Sequence, residues 1–349
     1  MKTNRIRWLI AFAQISVLAV TAPAFAATEK VYVADEESNT VSVIDAVSFK
    51  KIRSIPAGQG PHNVQVAADG KLVWVTNNGD PDKAAEKAGH QGMSKSSHDA
   101  MERAGEVWAI DTVDEEVVAK IPVGKHPAHV VVSAEGRFAY VTNGGDNTVS
   151  VVDTATKRVI TTIPVGSFPH GIRISPDGKQ AYVANLKSNT VSVIDTASQK
   201  EVAQISAGKG PAQVGFTLDG RLAFVSLSEE NAVAVIDPTT RKVIRKVSVG
   251  TGPIQLYATP DSRILLVANQ GTRSKPGKTV SVIDLQNFKV VKTVETGLGA
   301  HGVVVDRDGR YAYVSNTYAN SVSVLDIKAR KVVARVLVGK GPNGISVAP

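Results

Sequence analysis

Four histidines stand at the start of similar short segments that recur along the chain. They are His62, His129, His170 and His301, and each follows a proline or an alanine by one or two positions. Side-chain amides occupy the matching segments and the position beside His62, as Asn63, Gln213, Gln255 and Asn343. Imidazoles brought together can ligate Cu, Ni, Zn or Fe, or act as acid–base groups near neutral pH. Turn capping, a polar ligand pocket and metal ligation all stay open as interpretations.

A second group of candidate ligands lies in an insertion from residue 80 to 105. It contains His90, Met93, His98 and Met101, and no other methionine follows Met1. Thioether and imidazole are the ligand types that a cysteine-free exported protein would use for Cu(I). The other interpretation is a lid that packs onto the protein through its two methionines. The two interpretations can coexist.

An internal repeat determines where both groups lie. An aspartate ends an alternating, Val-rich run at Asp45, Asp111, Asp153, Asp195, Asp237, Asp284 and Asp326. The intervals are 66, 42, 42, 42, 47 and 42 residues, so one period explains the chain apart from two insertions. Periods of this size indicate propellers or solenoids.

Each repeat predicts four short strands. The third repeat has runs of alternating Val, Ile, Tyr and Thr at residues 138–143, 148–153, 159–165 and 171–176. Asp-Gly pairs such as Asp177-Gly178 predict two-residue type I′ turns. The sequence therefore predicts an all-β fold, a seven-bladed propeller of four-stranded antiparallel sheets. Pairing of the N- and C-terminal strands within one blade is expected to close the ring.

A radial fold would gather the histidine segments around one channel mouth. Each segment would form the loop that leads into the innermost strand of its blade. The insertion would connect the second and third strands of its own blade and would lie on the same face. The predicted binding residues at the channel mouth are therefore the four histidines with Asn63, Gln213, Gln255 and Asn343.

Several of the repeated motifs resemble a known family. The runs 140–143, 182–185 and 313–316 read Tyr-Val-Thr-Asn, Tyr-Val-Ala-Asn and Tyr-Val-Ser-Asn, and Pro169-His170-Gly171 precedes Ser-Pro-Asp-Gly. These motifs resemble the YVTN family of β-propeller repeats, which includes periplasmic YncE-like proteins. The resemblance implies a propeller from about residue 30 onward. It implies no single function, because similar proteins include surface-layer proteins, DNA-binding propellers and relatives of lactonases and haem d1 propellers.

The first 26 residues have the pattern of a secretory signal peptide. Lys2, Arg5 and Arg7 precede an apolar run, and Ala24-Phe25-Ala26 has the small residues of a cleavage site. We therefore expect a signal peptide at 1–26, a propeller domain at 27–349, and a periplasmic or secreted protein. The chain has no cysteine, which excludes disulfides, c-type haem attachment and cysteine-ligated metal centres.

The formal charge of the full chain is +8. Many lysines and arginines fall in the predicted outermost strands, where they protect sheet edges from aggregation. A nucleic-acid footprint is the less favoured interpretation of these charges. Aromatic residues recur at one strand position in six repeats, which indicates a packing layer rather than a base-stacking platform.

These patterns favour an exported binding or scaffold protein that acts through one face. The alternatives are a periplasmic copper protein that uses the insertion, a DNA-binding propeller, and a hydrolase of lactone-type substrates. The sequence has no Gly-x-Ser-x-Gly elbow, Walker loop or His-Glu-x-x-His zinc motif, so an enzyme is the less favoured prediction. We expect a monomer that is not integral to the membrane after cleavage, with an unidentified protein or small ligand as partner. Copper or another transition metal is the possible cofactor.

Overall fold

The computed structural model describes residues 29–79 and 104–348. Within these two ranges the chain forms 28 strands arranged in seven four-stranded antiparallel sheets. No helix of sufficient length and apolarity to cross a bilayer occurs in them. The predicted seven-bladed propeller is confirmed.

The strands follow one another blade by blade. Blade 1 contains β1 (Lys30–Asp35), β2 (Thr40–Asp45), β3 (Lys50–Pro56) and the last strand, β28 (Pro342–Val347). Blade 2 contains β4 (Pro61–Val66), β5 (Leu72–Asn77), β6 (Ala104–Asp111) and β7 (Val117–Lys125). Blade 3 contains β8 (Pro127–Val132), β9 (Phe138–Asn143), β10 (Thr148–Asp153) and β11 (Arg158–Pro164). Blade 4 contains β12 (Pro169–Ile174), β13 (Gln180–Asn185), β14 (Thr190–Asp195) and β15 (Lys200–Ser206).

The remaining three blades have the same order. Blade 5 contains β16 (Pro211–Phe216), β17 (Ala223–Leu227), β18 (Ala232–Asp237) and β19 (Lys242–Ser248). Blade 6 contains β20 (Pro253–Ala258), β21 (Ile264–Gly271), β22 (Pro276–Asp284) and β23 (Lys289–Glu295). Blade 7 contains β24 (Ala300–Val305), β25 (Tyr311–Asn316), β26 (Ser321–Asp326) and β27 (Lys331–Leu337).

Blade 1 closes the ring by joining the two ends of the described chain. Strand β28 pairs antiparallel with β1, with Val31 opposite Val347 and Val33 opposite Ile345. The innermost strands β4, β8, β12, β16, β20, β24 and β28 each contact the next around the channel. The predicted closure by terminal strands is confirmed. It places the segments that carry the four histidines and the side-chain amides on one ring of seven inner strands.

The Asp-Gly turns, which join the first and second strands of a blade, differ from the prediction. In the turn after β12, the Gly178 N–H donates to the Ser175 carbonyl at 2.8 Å, and the Ser175 N–H donates to the Gln180 carbonyl at 2.7 Å. Gly178 has a φ of 73°, whereas Asp177 is not among the residues with positive φ. A type I′ turn needs two consecutive positive φ angles. The two-residue type I′ turn was therefore a wrong prediction, and five residues, 175–179, connect the two strands.

The repeated aromatic positions form the packing layer between blades. Tyr32, Trp74, Tyr140, Tyr182, Phe224 and Tyr313 are at most 1% exposed, which confirms the core interpretation. The strand-end aspartates form turns, as expected: the Asp153 carboxylate accepts the Thr156 N–H at 2.8 Å. Repeated residues therefore build the scaffold, and the channel is where the repeats differ.

Candidate metal centre

The predicted binding residues occupy the first three positions of the innermost strands rather than the loops before them. A hydroxyl on the second strand ties several of these positions to the next blade. Thr142 accepts the His129 N–H at 2.9 Å and donates to the His170 carbonyl at 2.7 Å. Thr76 makes the same bridge from Asn63 to Ala128. The strand starts are thus fixed relative to one another, which positions the side chains that they carry. We call this end of the channel the upper mouth.

Three histidines meet at the upper mouth. One ring nitrogen from each of His62, His129 and His170 lies within 4.8 Å of the corresponding nitrogens of the other two. The Nε2 atoms of His62 and His170 are 3.4 Å apart, and the ring centroids of His129 and His170 are 4.8 Å apart. Residues from blades 2, 3 and 4 therefore form one cluster, which we call the histidine cluster.

Backbone contacts determine which nitrogen of His170 is free. Its Nδ1 lies 2.9 Å from the Ala212 carbonyl oxygen, which only accepts hydrogen bonds, so Nδ1 carries the proton. In the neutral ring, Nε2 then presents a lone pair toward His62. Histidines that bind metals commonly have their other ring nitrogen fixed by a carbonyl or a carboxylate.

Glu36 fixes the other side of His62, and the sequence pattern alone did not single it out. Its Oε1 lies 3.4 Å from His62 Nδ1, and its Oε2 accepts a hydrogen bond from Asn343 Nδ2 at 2.6 Å. The Asn343 Nδ2 atom also lies 3.0 Å from His62 Nδ1, and in this contact Nδ2 is the donor and Nδ1 the acceptor. A signal does exist in the sequence. When the second strands of the seven blades are aligned by repeat, the residue after Asp35 is an acid, Glu36, and none of its six equivalents is an acid. The equivalent residues are Asn78, Gly144, Leu186, Ser228, Gln270 and Thr317.

His129 is wholly buried, and its Nε2 has no hydrogen-bond partner among the described residues. Its Nδ1 lies 3.3 Å from the Gln213 amide nitrogen, while the Gln213 oxygen accepts the Val214 N–H at 2.8 Å. A buried polar atom without a partner is unfavourable. The His129 ring therefore presents an unsatisfied nitrogen beside the other two imidazoles.

His301 lies next to the cluster but outside the group of three. Its ring centroid is 6.3 Å from that of His62, it is 4% exposed, and its Nδ1 has no partner in the described chain. Asn343 comes between them in the ring, on β28. Asn63 and Gln255 are also buried, and the Asn63 side chain accepts the Val130 N–H at 3.3 Å. Asn63 is therefore a structural residue that joins two blades.

Burial favours the neutral form of His129, His170 and His301. It lowers the pKa of His170 and that of His301 to about 3, and nearby His62 adds to both effects. Burial also lowers the pKa of His129 well below its usual value, with further contributions from His170 and His62. Although burial raises the pKa of Glu36, the charge and hydrogen bond of His62 outweigh it and lower that pKa to about 2. The upper mouth thus combines the neutral imidazoles of His129, His170 and His301 with the ionised carboxylate of Glu36.

His90, Met93, His98 and Met101 fall outside the described residues, so the structure does not test them. The described chain leaves this face at Gly79, where the Asn78 N–H donates to the Gly60 carbonyl, and resumes at Ala104. His126 is on the same face, but its ring packs on Phe168 at a centroid distance of 5.3 Å.

Several solved structures have a fold similar to that of this chain, and they belong to differently described proteins. Hydrazine synthase of Kuenenia stuttgartiensis is 25% identical, with 82% of this chain and 89% of that chain covered and a TM-score of 0.68. A functionally unknown protein from Desulfotomaculum acetoxidans is 18% identical, with 92% and 99% covered and a TM-score of 0.74. Dihydro-heme d1 dehydrogenase NirN in complex with DHE is 18% identical, with 93% and 76% covered and a TM-score of 0.64. These likenesses support the fold and assign no activity.

A comparison with curated proteins found no significant match. The profile of the YncE-like beta-propellers matches residues 103–223 and 272–348, which together are more than half of the chain. These segments contain blades 3, 4 and 7 and some strands of the other four blades, and the seven-bladed ring agrees with them. The resemblance inferred from the Tyr-Val-Thr-Asn motifs is therefore confirmed, and the chain belongs to the YncE-like β-propeller family.

Proposed function

We propose that this propeller is a binding protein whose upper mouth takes up a first-row transition-metal ion through His62, His129 and His170. The observation that carries the proposal is the 3.4 Å separation of the His62 and His170 Nε2 atoms. Two nitrogens bound to one tetrahedral metal at about 2.0–2.1 Å lie roughly 3.3–3.4 Å apart. The distance therefore matches two ligands of one ion without movement of either strand.

The electrostatics of the site support the same proposal. Imidazole binds a metal only in its neutral form, and burial holds His129 and His170 neutral. Glu36 lies on the far side of His62, as the outer carboxylate does in many histidine metal sites. His129 binds through Nε2 when its proton moves to Nδ1 and the Gln213 amide turns its oxygen toward the ring. Metal binding would then satisfy the orphaned His129 nitrogen.

The ligand set favours Zn²⁺, Cu²⁺ or Ni²⁺, which imidazole suits. Three protein ligands leave a fourth position of a tetrahedral ion open to water or to a second ligand. His301 lies beside this position. We infer a site whose ion exchanges or accepts a further ligand, in contrast to a closed structural site with four protein ligands.

Calorimetric titration of the metal-free protein with Zn²⁺, Cu²⁺ and Ni²⁺ tests the proposal. We expect one ion per chain at micromolar affinity or tighter for at least one metal, and a loss of this binding in His129→Ala and in His170→Ala. His126→Ala is the matched control, because His126 lies on the same face outside the cluster. Equal affinity in all three variants, or no binding by the parent protein, would rule the metal site out.

Export is a separate part of the proposal. The signal-peptide pattern at residues 1–26 supports a periplasmic or secreted protein. N-terminal sequencing of the protein recovered from a bacterial periplasm should begin at Ala27. Recovery of the uncut chain from the cytoplasm would contradict this part and would leave the metal site unaffected.

A further inference from the structure

The opposite end of the channel, which we call the lower mouth, contains a second potential site. Two adjoining cavities of about 520 Å³ and 380 Å³ open there, and Arg173, Tyr257 and Arg307 line both of them. Volumes of this size are typical of small-molecule sites. A larger cavity of about 850 Å³ lies among turn residues of blades 5 and 6, away from the polar groups of the channel.

Arg173 is the charged residue of the lower channel. The fifth residues of the seven inner strands are Gln65, Val131, Arg173, Gly215, Tyr257, Val304 and Ser346. Six of the seven are uncharged, and Ser346 and Val304 are buried. Arg173 is thus the one charged residue at this position of the seven inner strands.

The described residues provide no counterion for Arg173. No carboxylate within ion-pair distance is found there, and its one hydrogen bond goes to the Ile172 carbonyl at 3.5 Å. The side chain is partly buried, and guanidinium stays charged in proteins. Because a desolvated charge without a partner is costly, this position is set up for an anion.

Two acids lie near the lower mouth, and neither is within ion-pair distance of Arg173. The Asp306 carboxylate accepts backbone N–H groups from Arg310 and Tyr311 at 2.7 and 3.0 Å. Glu29 lies at the rim, where burial raises its pKa and makes its charged form less favourable. Neither acid forms an ion pair with Arg173, whereas exposed Arg307 adds a second positive charge at the rim.

We propose that the lower mouth binds an organic carboxylate with an apolar body. The planar guanidinium of Arg173 matches a carboxylate in a two-bond, bidentate arrangement, and the Tyr257 hydroxyl is a further donor on the same wall. Val131, Ile174 and Ile345 line the cavity and offer an apolar surface to the rest of the ligand. This site is independent of the metal site, and either can exist without the other.

Titration of the mature protein with octanoate tests this site, with octanamide as the uncharged analogue and inorganic phosphate as the competitor. We expect octanoate to bind one per chain and octanamide to bind on the order of tenfold more weakly, since it lacks the charge that Arg173 pairs with. Phosphate should fail to displace octanoate because it has no apolar body. Equal binding of octanoate and octanamide, or displacement by equimolar phosphate, would overturn the proposal.

Substitutions at Arg173 complete the test. Arg173→Gln should weaken octanoate binding on the order of tenfold or more, and Arg173→Lys should recover part of it by restoring the charge without the planar fork. Arg158→Gln is the matched control, because Arg158 is an exposed arginine of an outermost strand. Unchanged octanoate affinity in Arg173→Gln would overturn the assignment, provided that circular dichroism shows a folded chain.

Discussion

The two mouths of the channel are built from the same seven strands, yet they have opposite chemistry. The starts of the inner strands bring together neutral imidazoles and the carboxylate of Glu36, an arrangement that favours a cation. The ends of the same strands present Arg173 among apolar side chains, an arrangement that favours an anion. Strand β12, six residues long, carries His170 of the proposed metal site near its start and Arg173 of the proposed anion site near its end. The difference depends on single positions that depart from the repeat, because the repeated positions are used for packing.

The largest expected effect separates the two mouths directly. His170→Ala removes a proposed ligand, so metal affinity should fall by more than the roughly 100-fold that loss of an outer partner can cause. Octanoate affinity at the lower mouth should stay within about twofold, since additivity holds for distant sites. Parallel titrations of both ligands measure this. A variant that loses both bindings together would show that the mouths are not independent.

The close packing of blades at the upper mouth leads to the second prediction. A Cβ atom on Gly171 would lie 2.2 Å from the Gln213 oxygen and 2.6 Å from the Ala212 carbonyl oxygen. Gly171→Ala should therefore reduce the free energy of unfolding by about 2–3 kcal/mol, as measured by urea denaturation. The matched change at the lower mouth is Gly215→Ala, whose nearest contact is the mobile Leu256 Cδ1 atom at 2.5 Å. It should cost less, and an equal or larger cost would contradict this account.

The buried histidines should make the upper mouth sensitive to acid. The pKa of His301 is lowered, mainly by burial, to about 3 from an ordinary 6.5. Between pH 3 and 6.5 the His301 imidazole is protonated in the unfolded chain but neutral in the folded chain. The free energy of unfolding therefore has its full value above pH 6.5 and decreases as the pH falls toward 3. His301 alone should cost about 2 kcal/mol of unfolding free energy at pH 5.

Urea denaturation at pH 7 and pH 5 checks this effect, with His301→Gln as the comparison. The variant should lose less stability than the parent over this interval. Asp35 acts in the opposite direction, because burial raises its pKa to about 6, but it is present in both proteins and cancels. An identical loss in parent and variant would contradict the role assigned to His301.

The smallest expected effect concerns Glu36 as a positioning residue. Glu36→Gln keeps the shape of the side chain but removes its charge, so metal affinity should fall by about tenfold. Glu37→Gln is the control, because Glu37 is an exposed neighbour that lies 3.8 Å from exposed Arg273. Equal affinities in the two variants would remove Glu36 from the site.

The repeat determined how much was predictable from sequence. The 42-residue period predicts the blades, the ring closure and the convergence of His62, His129 and His170, because each follows from the position of a residue within its repeat. The period does not predict which contacts form across the channel. Glu36 of blade 1 contacts His62 of blade 2, and Arg173 of blade 4 shares a cavity with Tyr257 of blade 6. These contacts between blades depend on the three-dimensional structure. Glu36 and Arg173 do each differ from their counterparts in the other repeats, and this difference is the signal that a comparison of the repeats provides.

Crystals of the metal-free protein soaked in Zn²⁺ offer the most direct test of the central claim, through anomalous diffraction at the zinc edge. The account predicts a strong peak at about 2.0–2.1 Å from the Nε2 atoms of His62, His129 and His170, and its disappearance in His170→Ala. A map with no peak among these three side chains, at a zinc concentration that saturates binding in solution, would contradict the proposal.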